Sequence, residues 1–331
     1  MPKRYLGNII TDTPTAPAGE YQDSVASGVW SLAEAFAYTK AGLWPVAGNA
    51  PPNAIHTYDG SGIIDGYNIS TLGNAVEFAD RTIGNYGRSV GNSTKVLLGA
   101  QLQANSIETF TWASAGTATD FGDDSGSRYY YGSLSNDTRG IWAGGLGTGS
   151  YSIAYSTFSS AGNTSDFGDI LNVGEFIQAG LASTTRGVLA GGSTQNPART
   201  EYLTIASTGN TSVFGDLLGS GRKFGYSNGT ATSSTRGLFA AGAENSTSNV
   251  IEYITIATTG SSTDFGDLTV ADNTGGCSSN KTRAVFTSGQ QNQNMCYVTI
   301  ASTGNAADFG DLTRTNGGSS GCSNAHGGLA A

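Results

Sequence analysis

Histidine is nearly missing from this chain: His56 and His326 are the two in 331 residues. A structural zinc site takes four His or Cys ligands, and Ser/His/Asp or Cys/His catalysis needs an imidazole beside the nucleophile. Cysteine is equally scarce, with Cys277, Cys296 and Cys322 and no Cys-x-x-Cys pair. Three such residues make no disulfide framework and read as small buried thiols in strands. Charge is sparse too, at 12% of residues, and 25 acidic side chains outnumber 16 basic ones for a net −9. No basic run exceeds a pair such as Lys3-Arg4, which excludes a phosphate-tracking nucleic-acid surface. No stretch approaches the roughly 18 apolar residues of a helical membrane span. The N-terminus lacks the apolar core of a signal peptide, so an extracellular role is expected to follow release by lysis.

What the chain has is glycine, at 49 positions, with Ser, Thr and Asn filling much of the rest. Low charge with low hydrophobicity is the composition of disorder. Here 13 Phe, 15 Tyr and 4 Trp recur at regular intervals, a pattern that suits short strands joined by tight turns.

One phrase repeats. Asp120-Phe121-Gly122-Asp123 returns as Asp166-Phe167-Gly168-Asp169, Asp264-Phe265-Gly266-Asp267 and Asp308-Phe309-Gly310-Asp311, with degenerate copies at Val213-Phe214-Gly215-Asp216 and Glu77-Phe78-Ala79-Asp80. The six phenylalanines lie 43, 46, 47, 51 and 44 residues apart. Within a unit, Arg283 to Gly289 alternates as a strand, Met295 to Ser302 as another, and Gly304-Asn305 supplies the positive φ of a hairpin turn. Four short antiparallel strands per period is the size of one β-propeller blade. A second strand recurs independently at Arg139-Gly140-Ile141-Trp142, Arg186-Gly187-Val188-Leu189 and Arg236-Gly237-Leu238-Phe239, with variants at Lys95 and Arg283 and a sixth copy at His326 to Ala331. The first unit, Ile63 to Asp80, then has late strands alone, and the last, Gly317 to Ala331, early strands alone. Joining them completes one blade from both termini, closes a six-bladed ring and removes exposed sheet edges.

The apolar strand ending in a Gly pair (Val188 to Gly192), the Tyr-bearing third strand (Glu201 to Ile205) and the later aromatic (Phe214) resemble the kelch repeat, with Phe where kelch repeats usually carry Trp. That resemblance covers most of residues 51–331 and implies the same propeller architecture. The kelch-type oxidases use copper held by His and Tyr ligands, and this chain is short of histidine.

The repeated Phe78, Phe121, Phe167, Phe214, Phe265 and Phe309 are expected to fill the space between blades. The flanking Asp side chains are expected to bond turn amides or to pair with Arg139, Arg186, Arg236 and Arg283, since a buried guanidinium needs an acceptor. Two carboxylates per unit fall short of the six or so oxygens that calcium takes. No metal, cofactor or catalytic residue is expected, and the protein reads as no enzyme. Tyr129, Tyr130 and Tyr131 interrupt a Gly/Ser-like position and suit either contact with a surface ligand, such as a sugar face, or packing between blades. Loops at Gln101 to Asn105, Leu146 to Ser150, Gln195 to Ala198, Glu244 to Ser248 and Gln290 to Asn294 hold equivalent places, differ from one another, and serve either glycan binding or solubility.

Residues 1–50 break the period. Thr11 to Ala18 is Pro/Thr-rich and extended, Ser31-Leu32-Ala33-Glu34 is a capping box opening a helix over 31–40, and Gly42 ends it. Trp30, Leu32, Phe36 and Trp44 are too many large apolar groups for one short helix to bury. They are expected to dock on the propeller, on a second copy, or on a scaffold protein. Gly7 to Ile10, Ser27 to Leu32 and Gly42 to Pro45, with units like Tyr202 to Asn210, resemble virion structural and tail-fibre-like proteins of marine, especially cyanobacterial, phages. The resemblance implies a protein of the phage particle; it is expected to assemble in the host cytoplasm and to be held, as a homo-oligomer, to other virion proteins through residues 1–50. Its propeller would project toward a host-surface glycan or protein. The alternatives are a capsid or neck decoration without receptor binding and a cellular kelch-type scaffold.

Overall fold

The computed structural model describes residues 52–330, apart from 59, 83–86, 100–104, 115, 127, 130, 148–150, 172–178, 192–197, 219–228, 242–247, 273, 289–291 and 316–317. Contacts divide the chain after Pro52 into two units, and the described residues from Asn53 onward belong to the second. The expected docking segment, with its helix over 31–40 and with Trp30, Leu32, Phe36 and Trp44, lies outside them.

The second unit is a six-bladed β-propeller, each blade built on four antiparallel strands, with Gly116–Thr117 added in parallel to the outer edge of one of them. From the axis outward, blade 1 is Gly318–Ser323, Ala54–Tyr58, Ile63–Tyr67 and Val76–Asp80, and blade 2 is Ser89–Gly91, Lys95–Leu98, Ser106–Thr111 and Thr119–Asp123. Blade 3 is Gly132–Ser135, Arg139–Ala143, Ser152–Thr157 and Ser165–Asp169, and blade 4 is Ala179–Ala182, Arg186–Ala190, Arg199–Thr204 and Ser212–Asp216. Blade 5 is Thr230–Thr232, Arg236–Ala240, Ser248–Thr255 and Thr263–Asp272, and blade 6 is Thr274–Ser279, Arg283–Ser288, Asn294–Thr299 and Ala307–Asp311. Each innermost strand packs on both of its neighbours around the axis, so the ring closes.

Both termini do build blade 1, but in the proportion one to three. Ala54–Tyr58 is its second strand, pairing Gly318–Ser323 on one side and Ile63–Tyr67 on the other. His326 to Ala330, expected as that strand, instead turns across the axis. Ala54–Tyr58 escaped notice because it lacks the Arg-Gly start that marks the other second strands, whereas His326-Gly327-Gly328 imitates their small-residue pattern. Its glycines answer a different need: a Cβ on Gly327 would collide with the Ser233 carbonyl, and one on Gly328 with that of Ser135.

The core is distributed. Six apolar clusters each span one junction between blades, and each holds one repeated phenylalanine: Phe78, Phe121, Phe167, Phe214, Phe265 or Phe309. All six are buried, and burying a phenyl ring contributes about 1.5–3 kcal/mol.

Candidate functional site

The blade junctions account for nearly every residue that recurs. In blades 3 to 6 an Arg opens the second strand and lies over a Tyr on the third, its guanidinium carbon 4.3–4.6 Å from the ring centroid for Arg139–Tyr155, Arg186–Tyr202, Arg236–Tyr253 and Arg283–Tyr297. The Tyr then meets the outer-strand Phe edge to face, as in Tyr253–Phe265 at 6.0 Å. Each Arg also donates to a backbone carbonyl of the next blade: Arg139 to Ile205, Arg186 to Ile256, Arg236 to Ile300 and Arg283 to Ile69, at 2.7–3.0 Å. The expected Arg–Asp pairs do not form. The guanidinium is satisfied by an aromatic face and a carbonyl, and the motif carboxylates point outward, exposed or half-exposed along the outermost strands.

Main-chain atoms of the Asp-Phe-Gly-Asp phrase do the joining. The Phe265 carbonyl accepts the Gly304 amide (2.8 Å), the Asp267 amide donates to Asn305 Oδ1 (3.1 Å), and the Asp267 carbonyl accepts the Ala306 amide (2.7 Å). The same set joins Phe121-Asp123 to Gly162-Asn163-Thr164, Phe167-Asp169 to Gly209-Asn210-Thr211, and Phe309-Asp311 to Gly73-Asn74-Ala75. Gly-Asn therefore belongs to the junction as well as to its own turn. The motif glycine is needed because the neighbouring turn crosses directly over it: at Gly266, with φ +146°, a Cβ would strike the Gly304 carbonyl.

Sequence reasoning missed a second clip, made by a buried acid just before the third-strand Tyr position. Glu108, Glu201, Glu252 and Asp65 are each at most 3% exposed. They accept the amides of Thr82 (3.1 Å), Leu171 (3.0 Å), Leu218 (2.8 Å) and Thr313 (2.8 Å), which follow the outermost strand of the preceding blade. The doublets Glu201-Tyr202 and Glu252-Tyr253 carried the signal. In blade 6 the place is taken by Cys296.

Around the axis the innermost strands are made of Gly, Ala, Ser and Thr with few larger residues, because they approach one another too closely for more. Ser135 Oγ donates to the Gly91 carbonyl (2.8 Å), Thr230 Oγ1 to that of Gly180 (2.7 Å), Ser279 Oγ to that of Thr232 (3.1 Å) and Ser323 Oγ to that of Ser279 (2.5 Å). Ser89 donates its amide to Ser320 Oγ (2.8 Å). The axial cavity left between them, lined by all six blades and by His326, measures about 60 Å³. At roughly 15 Å³ per water-sized occupant it has room for about four, well short of a sugar ring.

His56 is buried and His326 half-buried. His56 contacts Thr287 Oγ1 through Nδ1 (3.0 Å) and lies against Tyr58, while its Nε2 has no hydrogen-bond partner among the described residues. Burial lowers its pKa to about 4, against the opposing pull of Asp65. Asp65 in turn accepts the Tyr58 hydroxyl. His326 is likewise lowered by burial. The three thiols are free and buried, and burial raises all three, Cys322 to about 12. Such thiols are poor nucleophiles.

Of the tyrosine cluster, Tyr131 is fully buried and its hydroxyl accepts the Arg88 amide (3.1 Å), so it packs between blades 2 and 3 rather than meeting a ligand. Tyr130 and the side chain of Tyr129 lie outside the described residues, as do most of the five variable loops. Among the described residues no group of three or more His, Cys, Asp or Glu is arranged to hold a metal ion. Compared with known proteins, the chain matches no family model and no curated protein.

Proposed function

We propose that this protein is a structural component of a phage particle, held to other virion proteins as a homo-oligomer through residues 1–50, with its propeller projecting to bind a glycan or protein on the host surface. It acts by binding and not by catalysis. The observation that carries this reading is the division of roles along each repeat. Arg, Tyr, Phe, Gly and Asn at recurring positions all serve to fasten one blade to the next. Recognition is left to the segments that differ from blade to blade, such as the one following Leu98 and the one following Ala190. A rigid frame with interchangeable connections is how binding surfaces are commonly built. The resemblance of Gly7 to Pro45 and of the Tyr202 to Asn210 unit to phage virion proteins supports the location.

Peptide mass spectrometry on density-purified particles, followed by antibody-gold labelling, tests the proposal. The expected result is label at tail tips or fibres, with saturable binding of the full chain to host-surface glycans. Label on the capsid or neck without glycan binding means a decoration protein. Absence from intact particles overturns the virion reading and favours a cellular scaffold.

A further inference from the structure

The ring is covalently continuous everywhere except in blade 1, where Gly318–Ser323 joins Ala54–Tyr58 by strand pairing alone, with an irregular register at Thr57/Tyr58. Opening of the propeller at that seam breaks no covalent connection. The residues that follow Ser323 do not trail away. Asn324 donates its amide to the Asn53 carbonyl of blade 1 (3.0 Å), and Ala325 bridges Asn280 at the end of the blade 6 innermost strand. His326 Nε2 donates to the Gly91 carbonyl of blade 2 (2.9 Å) and lies 3.3 Å from Ser135 Oγ of blade 3. Its Nδ1 accepts the Gly328 amide (3.1 Å), so both ring nitrogens are engaged in one tautomer. Gly327 donates to Thr232 of blade 5, at the carbonyl (3.1 Å) and at Oγ1 (2.9 Å). Leu329 is buried, and the Ala330 amide donates to Asp137 Oδ2 (2.7 Å) in the turn that follows the blade 3 innermost strand.

We propose that residues 324–330 are a strap that holds the ring shut: they tie the C-terminal innermost strand to blades 1, 2, 3, 5 and 6 at one end of the axis, and the seam opens only after the strap lifts. The strap docks through amides, one imidazole and two glycines whose missing Cβ atoms let the chain cross the Ser233 and Ser135 carbonyls. Pairing between Gly318–Ser323 and Ala54–Tyr58 is thereby coupled to contacts on the far side of the axis. Local opening at the seam must break these together, which is the condition for slow, sub-global exchange.

Hydrogen exchange measured by mass spectrometry distinguishes this from a passive tail. Three proteins are compared: the wild type, a chain ending at Ser323, and full-length Gly327→Ala, which blocks the crossing while leaving every strand intact. Loss of several hydrogen bonds predicts exchange at least about tenfold faster in 318–323 and 54–58 in both variants. Exchange at 179–190 of blade 4, where no strap contact is described, should be unchanged. Unchanged protection at the seam in Gly327→Ala overturns the proposal, and so does an equal loss of protection in all six blades. Should the shortened chain fail to fold, Gly327→Ala alone decides.

Discussion

Lowering the pH should destabilise this propeller in part through His56. At the matching position of the other second strands stand Leu98, Trp142, Leu189, Phe239 and Phe286, so the imidazole occupies a place built for an apolar group. It is fully buried, and its pKa falls from 6.5 to about 4. The folded state therefore refuses a proton that the unfolded chain accepts below pH 6.5. Stability is complete above that value and is lost as the pH falls toward the folded pKa. The gap from 6.5 to about 4, at roughly 1.36 kcal/mol per pH unit, amounts to about 3 kcal/mol, with most of it gone by pH 4.5. His56→Leu restores the residue used in blades 2 and 4 and removes this term. Urea unfolding at pH 7 and pH 4.5 on both proteins isolates it, because every other titrating group is common to the two. The wild type should lose roughly 2–3 kcal/mol more than the variant. Equal losses would refute the argument that His56 is held neutral by burial.

Three further outcomes follow from the junctions. Phe265→Ala should cost about 3–5 kcal/mol in urea unfolding, because it opens a cavity in the cluster shared by blades 5 and 6. Gly304→Ala, at φ +154° with open space around it, should cost about 1–3 kcal/mol from backbone strain; Gly266→Ala adds a collision with the Gly304 carbonyl and should cost more, so the reverse order would contradict the crossing. Arg236→Lys keeps the charge but loses the planar stack on Tyr253 and the fixed bond to Ile300, and should cost roughly 1 kcal/mol by the same assay, whereas no loss would show that charge alone suffices.

Fold class and blade number were legible because both depend on counting, and a phrase as regular as Asp-Phe-Gly-Asp survives two degenerate copies. The side chains named by that phrase misled about its work. Carboxylate and guanidinium look like partners in a sequence, yet the Arg falls on the second strand and the Asp on the outermost one, with the third strand's Tyr between them. The bonds that matter there are made by backbone atoms, which a sequence does not print. The strand Ala54–Tyr58 was illegible for the opposite reason: it has diverged in composition while keeping its place in the sheet. The strap was hidden because two glycines that permit close crossing look the same as two glycines that end a strand. The cavity on the axis was equally out of reach, since its width follows from how closely six strands approach, and no one strand records that.

Blade 1 shows what the repeat is for. Assembled from both ends of the chain, it has lost the Arg–Tyr stack: Asn53 stands where blades 3 to 6 have Arg and blade 2 has Lys95, and Gly66 where blades 3 to 6 have Tyr. It has kept most of the contacts that act between blades. Ile69 offers its carbonyl to Arg283 of blade 6, Gly73 donates to the Phe309 carbonyl, Asn74 accepts the Asp311 amide, and Asp65 accepts the Thr313 amide. Toward blade 2, Phe78 fills the shared cluster and the Asp80 carbonyl accepts the Ala118 amide. Blade 1 also carries His56 and the strap, which no other blade has. A blade that discards the stack, and with it one bond to the next blade, yet keeps contacts on both of its faces points to a repeat organised around junctions. The ring is fastened six times, and the blade that contains its seam is the one that needed an additional fastening.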